Sequence, residues 1–199
     1  MKNLELPRFE GTLLQIARQA SFWVDENLVQ DKISAKNLLR VGRTPERILN
    51  SGRTVFAFGC LEKGALIGAI LKAHGIDVHF VRERLVVGGE GIGIHFALEA
   101  QSGNEQVTID VRQKKTTFEK GFRPNKFTNT LSYKFRGESK VEVTREGRFA
   151  FPKNPMKIGA YQLAGLKGRT HYLIATKANP LTQIAFINAK KEFEHSRRK

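Results

Sequence analysis

Residues 94–111 (IHFALEAQSGNEQVTIDV) alternate apolar and polar side chains on both sides of a short, glycine-containing segment. This period of two predicts a pair of antiparallel strands with one buried face. With residues 101–104 as the loop and Ala100 opposite Glu105, the predicted register joins residues whose numbers sum to 205. The buried face is then wholly apolar, with Ile94 opposite Val111, Phe96 opposite Ile109 and Leu98 opposite Val107. The hairpin therefore belongs to an antiparallel sheet packed on a core.

The opposite face of this hairpin carries a histidine and a carboxylate. In the predicted register His95 stands directly opposite Asp110, and Ala97 stands opposite Thr108. Directly opposed residues have Cβ atoms about 4.5–5.5 Å apart, so the carboxylate could accept a ring proton and fix the tautomer of the histidine. The small side chains of Ala97 and Thr108 leave space above the pair for a helix end or a substrate. The same two residues would equally suit a structural pair on a solvated sheet face.

Residues 61–74 (LEKGALIGAILKAH) have helical periodicity, and Cys60 immediately precedes them. Gly75 is the predicted C-terminal stop of this helix. At a helix start, free backbone N–H groups and the positive end of the dipole stabilise a thiolate, and the same groups can hold an oxyanion. Gly59 lets the backbone turn sharply and leaves room for a substrate. Taken alone, Cys60 would also suit a buried core position, which is the commoner environment of a free cysteine.

Three helices are predicted before this segment. Residues 11–24 place apolar side chains at helical spacing, and a second helix is predicted over residues 26–39. The Thr-Pro-Glu sequence at 44–46 has the order of an N-cap, a first helical residue and a first-turn acid. It predicts a short helix over residues 45–50, ended by Ser51 and Gly52.

The remaining chain favours strands. Residues 54–58 form a short apolar run, residues 76–82 form a predicted strand, and residues 88–91 form a glycine-rich turn. Beyond Gln113 the sequence is β-rich, with turn signals at Arg136-Gly137, Glu146-Gly147, Lys167-Gly168 and Asn179-Pro180. The predicted fold class is therefore α+β, with N-terminal helices packed on an antiparallel β-sheet.

A chain of 199 residues, 40% apolar and 27% charged, is long enough for one domain with a sizeable core. We expect four parts within this domain: a helical front over 1–53, a core over 54–112, a basic β-rich part over 113–189 and a basic tail over 190–199. One cysteine cannot form an intrachain disulfide, which agrees with a reducing cytosol. No run approaches the roughly 20 apolar residues of a membrane span, and the start lacks the apolar part of a secretory signal. These features favour a cytoplasmic protein.

The positive charge is concentrated in the second half of the chain. Residues 1–110 carry 13 Lys/Arg and 13 Asp/Glu, whereas residues 111–199 carry 21 and 6, which accounts for the whole net charge of +15. Such a basic half favours an acidic partner, which could be nucleic acid, an anionic membrane surface or an acidic protein. A well-solvated lysine-rich surface explains the charge equally well.

Cys60, His95 and Asp110 together form the thiol version of a nucleophile, a base and an orienting carboxylate. Their surroundings resemble the core of the transglutaminase-like superfamily: Gly59-Cys60-Leu61-Glu62-Lys63-Gly64-Ala65, then Leu71 and Gly75-Ile76, then His95-Phe96-Ala97-Leu98-Glu99, then Thr108-Ile109-Asp110. In that family the cysteine opens a helix, and the histidine and aspartate sit on adjacent strands. The spacings of 35 and 15 residues between the three side chains are similar to those of the family. The resemblance covers residues 54–112.

The resemblance implies a papain-like or transglutaminase-like core and a thiol acyl-transfer enzyme. Cys60 would attack the carbonyl of a protein, peptide or small amide substrate, with His95 as base and Asp110 orienting the ring. The resulting thioester would pass its acyl group to water (hydrolysis) or to an amine (transamidation), and no cofactor or metal is implied. Ala97 stands where many members have tryptophan. Arylamine N-acetyltransferases have a similar triad, but their Arg-Gly-Gly run is replaced here by Ala57-Phe58-Gly59.

Two other motifs favour weaker alternatives. His74 and His79 could join Cys60 and His95 in a metal site, but Cys60 and His74 lie at opposite ends of about four helical turns, roughly 20 Å apart. We therefore expect no metal. The glycine run at 88–93 precedes a strand and not a helix, which argues against a phosphate-binding loop. It suits a mobile loop beside the active site better.

Aromatic and basic side chains interleave over residues 118–136: Phe118, Phe122, Phe127, Tyr133 and Phe135 with Lys120, Arg123, Lys126, Lys134 and Arg136. Stacking and phosphate contacts from such a segment would suit single-stranded nucleic acid. A strand with aromatics inward and cations outward explains the pattern as well, and we favour it. The alternative function is thus a non-enzymatic binding module whose basic C-terminal half contacts nucleic acid or an acidic protein.

Overall fold

A computed structural model of the chain describes residues 6–31, 43–55, 59–112, 116–133 and 137–165. The elements are α1 (Leu13–Asn27), β1 (Val29–Asp31), α2 (Pro45–Ser51), β2 (Arg53–Val55), α3 (Gly59–Ala73), β3 (Asp77–Val87), β4 (Glu90–Ser102), β5 (Glu105–Asp110), β6 (Thr117–Lys120), β7 (Lys126–Tyr133), β8 (Gly137–Ala150) and α4 (Ala160–Leu163). Helices thus precede a run of consecutive antiparallel strands, which confirms the α+β class. None of the helices in these ranges is long and apolar enough to cross a bilayer.

Six strands form one antiparallel sheet in the order β6-β5-β4-β3-β8-β7, and β1 pairs with β2 in a separate parallel ribbon. The edge strands β6 and β7 are consecutive in the chain and are joined by residues 121–125. In a flat sheet five strand spacings would separate them by about 24 Å. The connecting chain reaches at most about 22 Å. The sheet must therefore curl, and residues 121–125 cross over its concave side.

Helix α3 lies at the centre of the core and is buried over nearly its whole length. It packs on β3 and β4 with one side, while α1, α2 and α4 cover the rest of its surface. Two glycines allow this close packing, because a Cβ at Gly64 would lie 3.0 Å from the Phe80 ring and one at Gly68 only 2.3 Å from Phe151. The predicted helix is confirmed, with Cys60 inside its first turn and Gly75 following its end at φ 75°.

Helix α1 confirms the first predicted helix and explains how it is anchored. Thr12 accepts from the backbone of Gln15, and the Gln15 side chain accepts from the Thr12 backbone, which completes a capping box. A carboxylate oxygen of Glu105 on β5 also accepts from the backbone N–H of Leu13 at 2.9 Å. A negative charge at this end suits the helix dipole. The N-terminus of α1 is thereby fixed to the sheet.

The second predicted helix, over residues 26–39, is wrong where the structure describes it. Helix α1 continues to Asn27, and Val29–Asp31 then form β1, paired in parallel with β2. The backbone N–H of Val29 donates to the Gly52 carbonyl at 2.8 Å. Hydrogen bonds to a distant part of the chain therefore override the helical pattern of the segment. Residues 32–39 lie outside the described ranges.

Helix α2 confirms the third predicted helix. The Thr44 side chain accepts from the backbone N–H of Arg47, Pro45 occupies the first helical position, and Gly52 ends the helix in the left-handed region at φ 62°. These are local capping signals that act within one turn, so they are readable from the sequence.

The β4–β5 register differs from the predicted one by two residues. Leu98 pairs with Ile109 and Ser102 with Glu105, so paired numbers sum to 207 and the turn contains only Gly103 and Asn104. Gly103 has φ 56°, the left-handed geometry that tight two-residue turns require. Because the shift is even, the apolar face survives: Phe96, Leu98, Val107, Ile109 and Val111 all lie in the core, and Ile94 packs against it.

Several strand boundaries also differ from prediction. The expected turn at Glu146-Gly147 lies inside β8, where the pairing with β3 shifts by one residue. Of the glycine run at 88–93, only Gly88 and Gly89 form a turn, since β4 already begins at Glu90 and the run is part of a tight hairpin. The strand predicted at 76–82 extends to Val87 as β3. Residues 56–58 and 134–136, the Lys167-Gly168 and Asn179-Pro180 turns and the basic tail lie outside the described ranges.

Candidate functional site

Cys60 occupies the first turn of α3, where it is a half-buried free thiol. Its side chain packs against the edge of the core, as does Ile94, which directly precedes His95 on β4. The N–H groups of the first helical turn have no partner within α3 itself. The sulfur therefore lies beside the positive end of a 15-residue helix.

His95 and Asp110 are joined by a short hydrogen bond. His95 Nε2 lies 2.6 Å from Asp110 Oδ1, and the two side chains are 16% and 2% exposed. In the observed register these residues are not directly opposite each other but are diagonal neighbours on one face of the β4–β5 pair. The direct opposition predicted from the sequence is therefore wrong, whereas the contact itself is present.

The side chain of Cys60 lies next to the His95 ring and, like Asp110, stabilises its charged form. Because Nε2 is engaged by Asp110, Nδ1 is the ring nitrogen that remains for the sulfur. The three side chains singled out by the sequence, 35 and 15 residues apart, thus meet as a thiol, an imidazole and a carboxylate in series. Such a series can lower the barrier to nucleophilic attack, since the imidazole can exchange a proton with the sulfur or with a leaving group.

The charge state of the ring follows from its two neighbours. Burial is the largest single influence and disfavours the charged ring, but the hydrogen bonds to Asp110 and Cys60, with the charges on both, outweigh it and raise the pKa of His95 to about 10. Burial likewise disfavours the Asp110 carboxylate, yet His95 and the nearby guanidinium groups hold the pKa of that carboxyl well below its usual range. At neutral pH the site favours an imidazolium that faces a carboxylate on one side and the sulfur on the other.

Two arginines bind the second oxygen of Asp110, and sequence reasoning assigned neither to the site. Arg112 donates to Oδ2 from Nη2 at 2.7 Å and from Nε at 3.1 Å, and Arg123 Nη2 donates to the same atom at 2.7 Å. Arg112 is 35% exposed, whereas Arg123 is only 3% exposed. Asp110 is therefore held on both oxygens, one by the imidazole and one by guanidinium groups.

Arg123 connects the site to two further carboxylates. Its Nη1 lies 3.1 Å from Glu83 Oε2, and its Nε lies 3.0 Å from Glu119 Oε2. Glu83 is paired directly across from His95 in the β3–β4 ladder and is 2% exposed. Burial raises the pKa of Glu83 from its usual value, although Arg123 acts in the opposite direction. The sequence did not indicate either residue for this site, because the strand predicted at 76–82 ends before Glu83 and the two charged groups are 40 residues apart.

A second buried carboxylate, Glu62, lies on α3 two residues after Cys60. Glu62 is fully buried and accepts two hydrogen bonds from Arg43, with Nε–Oε1 at 3.1 Å and Nη2–Oε2 at 2.9 Å. Arg43 also donates to the Arg53 carbonyl at 2.6 Å and to Ser51 Oγ at 2.9 Å. This bridge connects the first turn of α3 to the end of α2 and to β2. Burial, with the charge of Glu62, raises the pKa of Tyr161 well above its usual value.

The histidines considered for a metal site have other contacts. His74 Nε2 accepts from the backbone N–H of Phe9 at 2.7 Å, and Nδ1 lies 2.8 Å from the Ile70 carbonyl, so the geometry assigns a neutral ring with its proton on Nδ1. The Phe9 ring stacks on His74. In the described parts of the chain, no three His, Cys, Asp or Glu side chains are grouped as metal ligands.

Part of the aromatic and basic pattern over 118–136 folds onto the protein itself. Arg123 lies 4.6 Å from the centre of the Phe127 ring, Arg148 lies 5.2 Å from that of Phe122, and Phe118 packs against the core. The Tyr133 side chain and residues 134–136 lie outside what is described. The rings of Phe122 and Phe127 thus contact cations of the same chain, but the expected outward direction of the cations is wrong for Arg123, which is buried.

No family model, no curated protein and no solved structure matches this chain. A function must therefore be inferred from the chemistry of the site itself.

Proposed function

We propose that this chain is a thiol acyl-transfer enzyme with a transglutaminase-like, papain-like core. Cys60 is the nucleophile, His95 is the general acid and base, and Asp110 orients the ring. The proposal is carried by one observation: His95 is hydrogen-bonded to Asp110 and has Cys60 as its other neighbour, and both side chains stabilise the charged ring. The substrate class is the carboxamide or peptide carbonyl of a protein, peptide or small amide.

The acylation step follows from this geometry. Cys60 passes its thiol proton to His95, and the sulfur forms a bond to the carbonyl carbon while the π pair of the carbonyl moves onto oxygen. Backbone N–H groups at the start of α3 stabilise the oxyanion. The tetrahedral intermediate then collapses, the carbon–nitrogen bond breaks, and the departing amine takes the proton of the His95 imidazolium. The products are a free amine and a thioester on Cys60.

The second step returns the enzyme to its starting state. Water or a second amine attacks the thioester carbonyl and gives a proton to His95, and the carbon–sulfur bond breaks. Throughout both steps Asp110 keeps its charge, because His95, Arg112 and Arg123 all contact it. The carboxylate thereby fixes the ring and stabilises the imidazolium, as the orienting residue of such triads does.

The test is the reactivity of the single thiol. Wild-type protein and the variants Cys60→Ala, His95→Gln and His79→Gln are treated with iodoacetamide at pH 6–7, and alkylation is followed by mass spectrometry. We expect Cys60 of the wild type to react faster than glutathione, His95→Gln to react at least about tenfold more slowly, and Cys60→Ala to be unlabelled. His79→Gln is the matched control, because His79 is a strand histidine paired with Glu99 and not with His95. Wild-type alkylation no faster than that of glutathione would contradict the proposal.

A trapped intermediate tests the substrate class. The protein is incubated with a library of peptides and small amides, quenched in acid, and searched by mass spectrometry for an acyl group on Cys60. Substrates that give such an adduct in the wild type and none in Cys60→Ala would define the donor, and added amine or water would then identify the acceptor.

The alternative, a binding module that uses the basic half, has less support from the described residues. Phe122 and Phe127 already contact arginines of the same chain and are poorly placed to stack on bases. Binding of single-stranded oligonucleotides that weakens steeply with salt and is unchanged in His95→Gln would favour the alternative.

A further inference from the structure

Beneath the His95–Asp110 pair lies a cluster of charged groups whose effect on the geometry of the pair is not part of the chemical steps above. Arg123 is its centre: the guanidinium contacts Asp110 and Glu83, which are both buried, and the half-exposed Glu119. Arg123 comes from residues 121–125, the segment that crosses the concave side of the curled sheet between its two edge strands. The face of the Phe127 ring covers the guanidinium at 4.6 Å.

The geometry of these contacts assigns separate nitrogen atoms to separate partners. Nη2 of Arg123 donates to Asp110 Oδ2 at 2.7 Å, while Nη1 points to both oxygens of Glu83, at 3.1 and 3.3 Å. A planar guanidinium can bridge two carboxylates in this way because its donors have fixed directions, which the ammonium of a lysine lacks. With Nη2 bound at this oxygen, the carboxylate of Asp110 presents its other oxygen to His95.

Glu83 is connected to Asp110 only through Arg123. On the backbone, Glu83 is paired with His95 in the β3–β4 ladder. The negative charge of Glu83 offsets the positive charge of Arg123. Without Glu83, the charge of Arg123 would weaken the attraction between Asp110 and the imidazolium. The groups that face the His95 ring are Cys60 from α3, Asp110 from β5 and Glu83 from β3, with Arg112 and Arg123 bound to Asp110. Removing Arg123 and Glu83 together therefore leaves the net charge near the ring unchanged.

We propose that Arg123 is a positioning residue of the thiol site, which holds Asp110 facing His95 through a buried bridge to Glu83. The inference rests on the proposed function, since it gives these residues a role in the reactivity of Cys60. It differs from a purely structural role, in which Arg123 only neutralises two buried carboxylates and has no effect on the ring. The two roles differ in what happens to His95 when the fold is intact.

The test uses variants that separate positioning from folding. Arg123→Gln alone leaves Glu83 buried without its guanidinium and is expected to unfold readily, so the informative variants are Arg123→Lys and the charge-neutral double variant Arg123→Gln/Glu83→Gln. Glu119→Gln is the matched control, because Glu119 touches the same guanidinium but is 44% exposed and does not contact Asp110. Circular dichroism and thermal unfolding first establish which variants are folded.

Two readouts are then measured on the full chain. The first is the NMR titration of the His95 ring, with the resonance of the proton shared with Asp110. The second is the rate of Cys60 alkylation by iodoacetamide at pH 7. For Arg123→Gln/Glu83→Gln we expect a lower titration midpoint of His95, loss of the shared-proton resonance, and alkylation slower by at least about tenfold, as expected when the orienting carboxylate is misplaced. We expect Arg123→Lys to lie between this variant and the wild type, and Glu119→Gln to behave as the wild type.

The outcomes separate this inference from the proposed function. If the folded double variant keeps the wild-type titration of His95 and the shared-proton resonance, Arg123 is only structural and the inference is overturned. If His95 responds as expected while wild-type Cys60 is no more reactive than glutathione, Arg123 positions Asp110 but the acyl-transfer function fails. A lower His95 midpoint and slower alkylation in the double variant, with a wild-type Cys60 more reactive than glutathione, support both.

Discussion

His95 and Asp110 form a 2.6 Å hydrogen bond although they are diagonal, not opposed, in the β4–β5 ladder. Long side chains on one face of two adjacent strands can meet across a diagonal, so the pair does not require a single register. A register shift by two residues keeps both side chains on their face, whereas a shift by one would separate them. The contact between His95 and Asp110 thus forms in spite of the error of two residues in the predicted β4–β5 register.

The raised pKa of His95 predicts a loss of stability in alkaline solution. A group whose pKa is raised to about 10 in the folded chain, against 6.5 when unfolded, stabilises the fold fully below pH 6.5 and loses this contribution as the pH rises through 10. Between pH 7 and 10 the ring is charged in the folded chain and neutral in the unfolded one. We expect the free energy of unfolding to fall there by up to about 1.4 kcal/mol per pH unit. Urea denaturation across this range measures it.

The variant Cys60→Ser is the control for this alkaline effect. Cys60 is one of the two partners that raise the pKa of His95, so its removal should make the loss of stability end at a lower pH and be smaller in total. His95→Gln should remove the pH dependence of this range altogether. Identical denaturation midpoints at pH 7 and 10 in the wild type would contradict the assignment of a charged ring.

Asp110→Asn should reduce both stability and thiol reactivity. The amide keeps the shape of the carboxylate but loses the charge that His95, Arg112 and Arg123 contact, and the buried guanidinium of Arg123 then lacks part of its compensation. Breaking one partner of a buried ion pair costs about 3–5 kcal/mol. Because the imidazolium also loses its counter-ion, we expect alkylation of Cys60 at pH 7 to slow by at least about tenfold.

Asp77→Asn is the control for this substitution, since Asp77 is a sheet carboxylate that is 55% exposed and lies 3.5 Å from Lys72. Its effect should be within about 0.5 kcal/mol and should leave alkylation unchanged. An Asp110→Asn protein that alkylates at the wild-type rate would show that the carboxylate has no part in the site.

The sequence predicts those parts of the fold that local chemistry determines. Thr44 and Pro45 begin α2 and Gly75 follows α3, because caps act within one turn of the chain. Alternation in 94–111 identifies the two faces of the hairpin. It therefore also places His95 and Asp110 on the same face, where they can meet. It does not determine the register, since an apolar face tolerates an even shift and only the φ of Gly103 selects the shorter turn.

The rest of the site depends on contacts between residues far apart in the chain. Arg123 and Glu83 are 40 residues apart, and in sequence each looks like an ordinary solvated charge. Only the curl of the sheet, which follows from the β6–β7 connection, buries them under His95. The strand at Val29–Asp31 was missed for a similar reason, because its hydrogen-bond partner lies beyond α2.

Arg43→Met should destabilise the start of α3. The substitution removes the two hydrogen bonds that the fully buried carboxylate of Glu62 accepts from the guanidinium. It also removes the hydrogen bond from the guanidinium to the Arg53 carbonyl. We expect a loss of about 3–5 kcal/mol in the free energy of unfolding. Cys60 lies two residues from Glu62, so we also expect slower alkylation. Arg47→Met, an exposed arginine on α2, should have neither effect.

Gly68→Ala should destabilise the protein although alanine favours helices. Helix propensity alone would stabilise α3 by about 1 kcal/mol. The new Cβ would, however, lie 2.3 Å from the Phe151 ring, which is buried and stacked on Phe80 and so has little room to move. Overpacking of a core costs about 1–3 kcal/mol, so we expect a net loss measurable by urea denaturation.

Two further substitutions test whether the effect of Gly68→Ala comes from the contact with Phe151: Gly93→Ala as a control and Phe151→Leu as a compensating change. A Cβ at Gly93 meets nothing within 4 Å, so Gly93→Ala should be neutral or slightly stabilising. Phe151→Leu removes ring atoms that the Gly68→Ala methyl group would strike, and the double variant should lose less stability than the sum of the two single variants. If Gly68→Ala proves as stable as Gly93→Ala, the close contact between α3 and Phe151 is not present in solution.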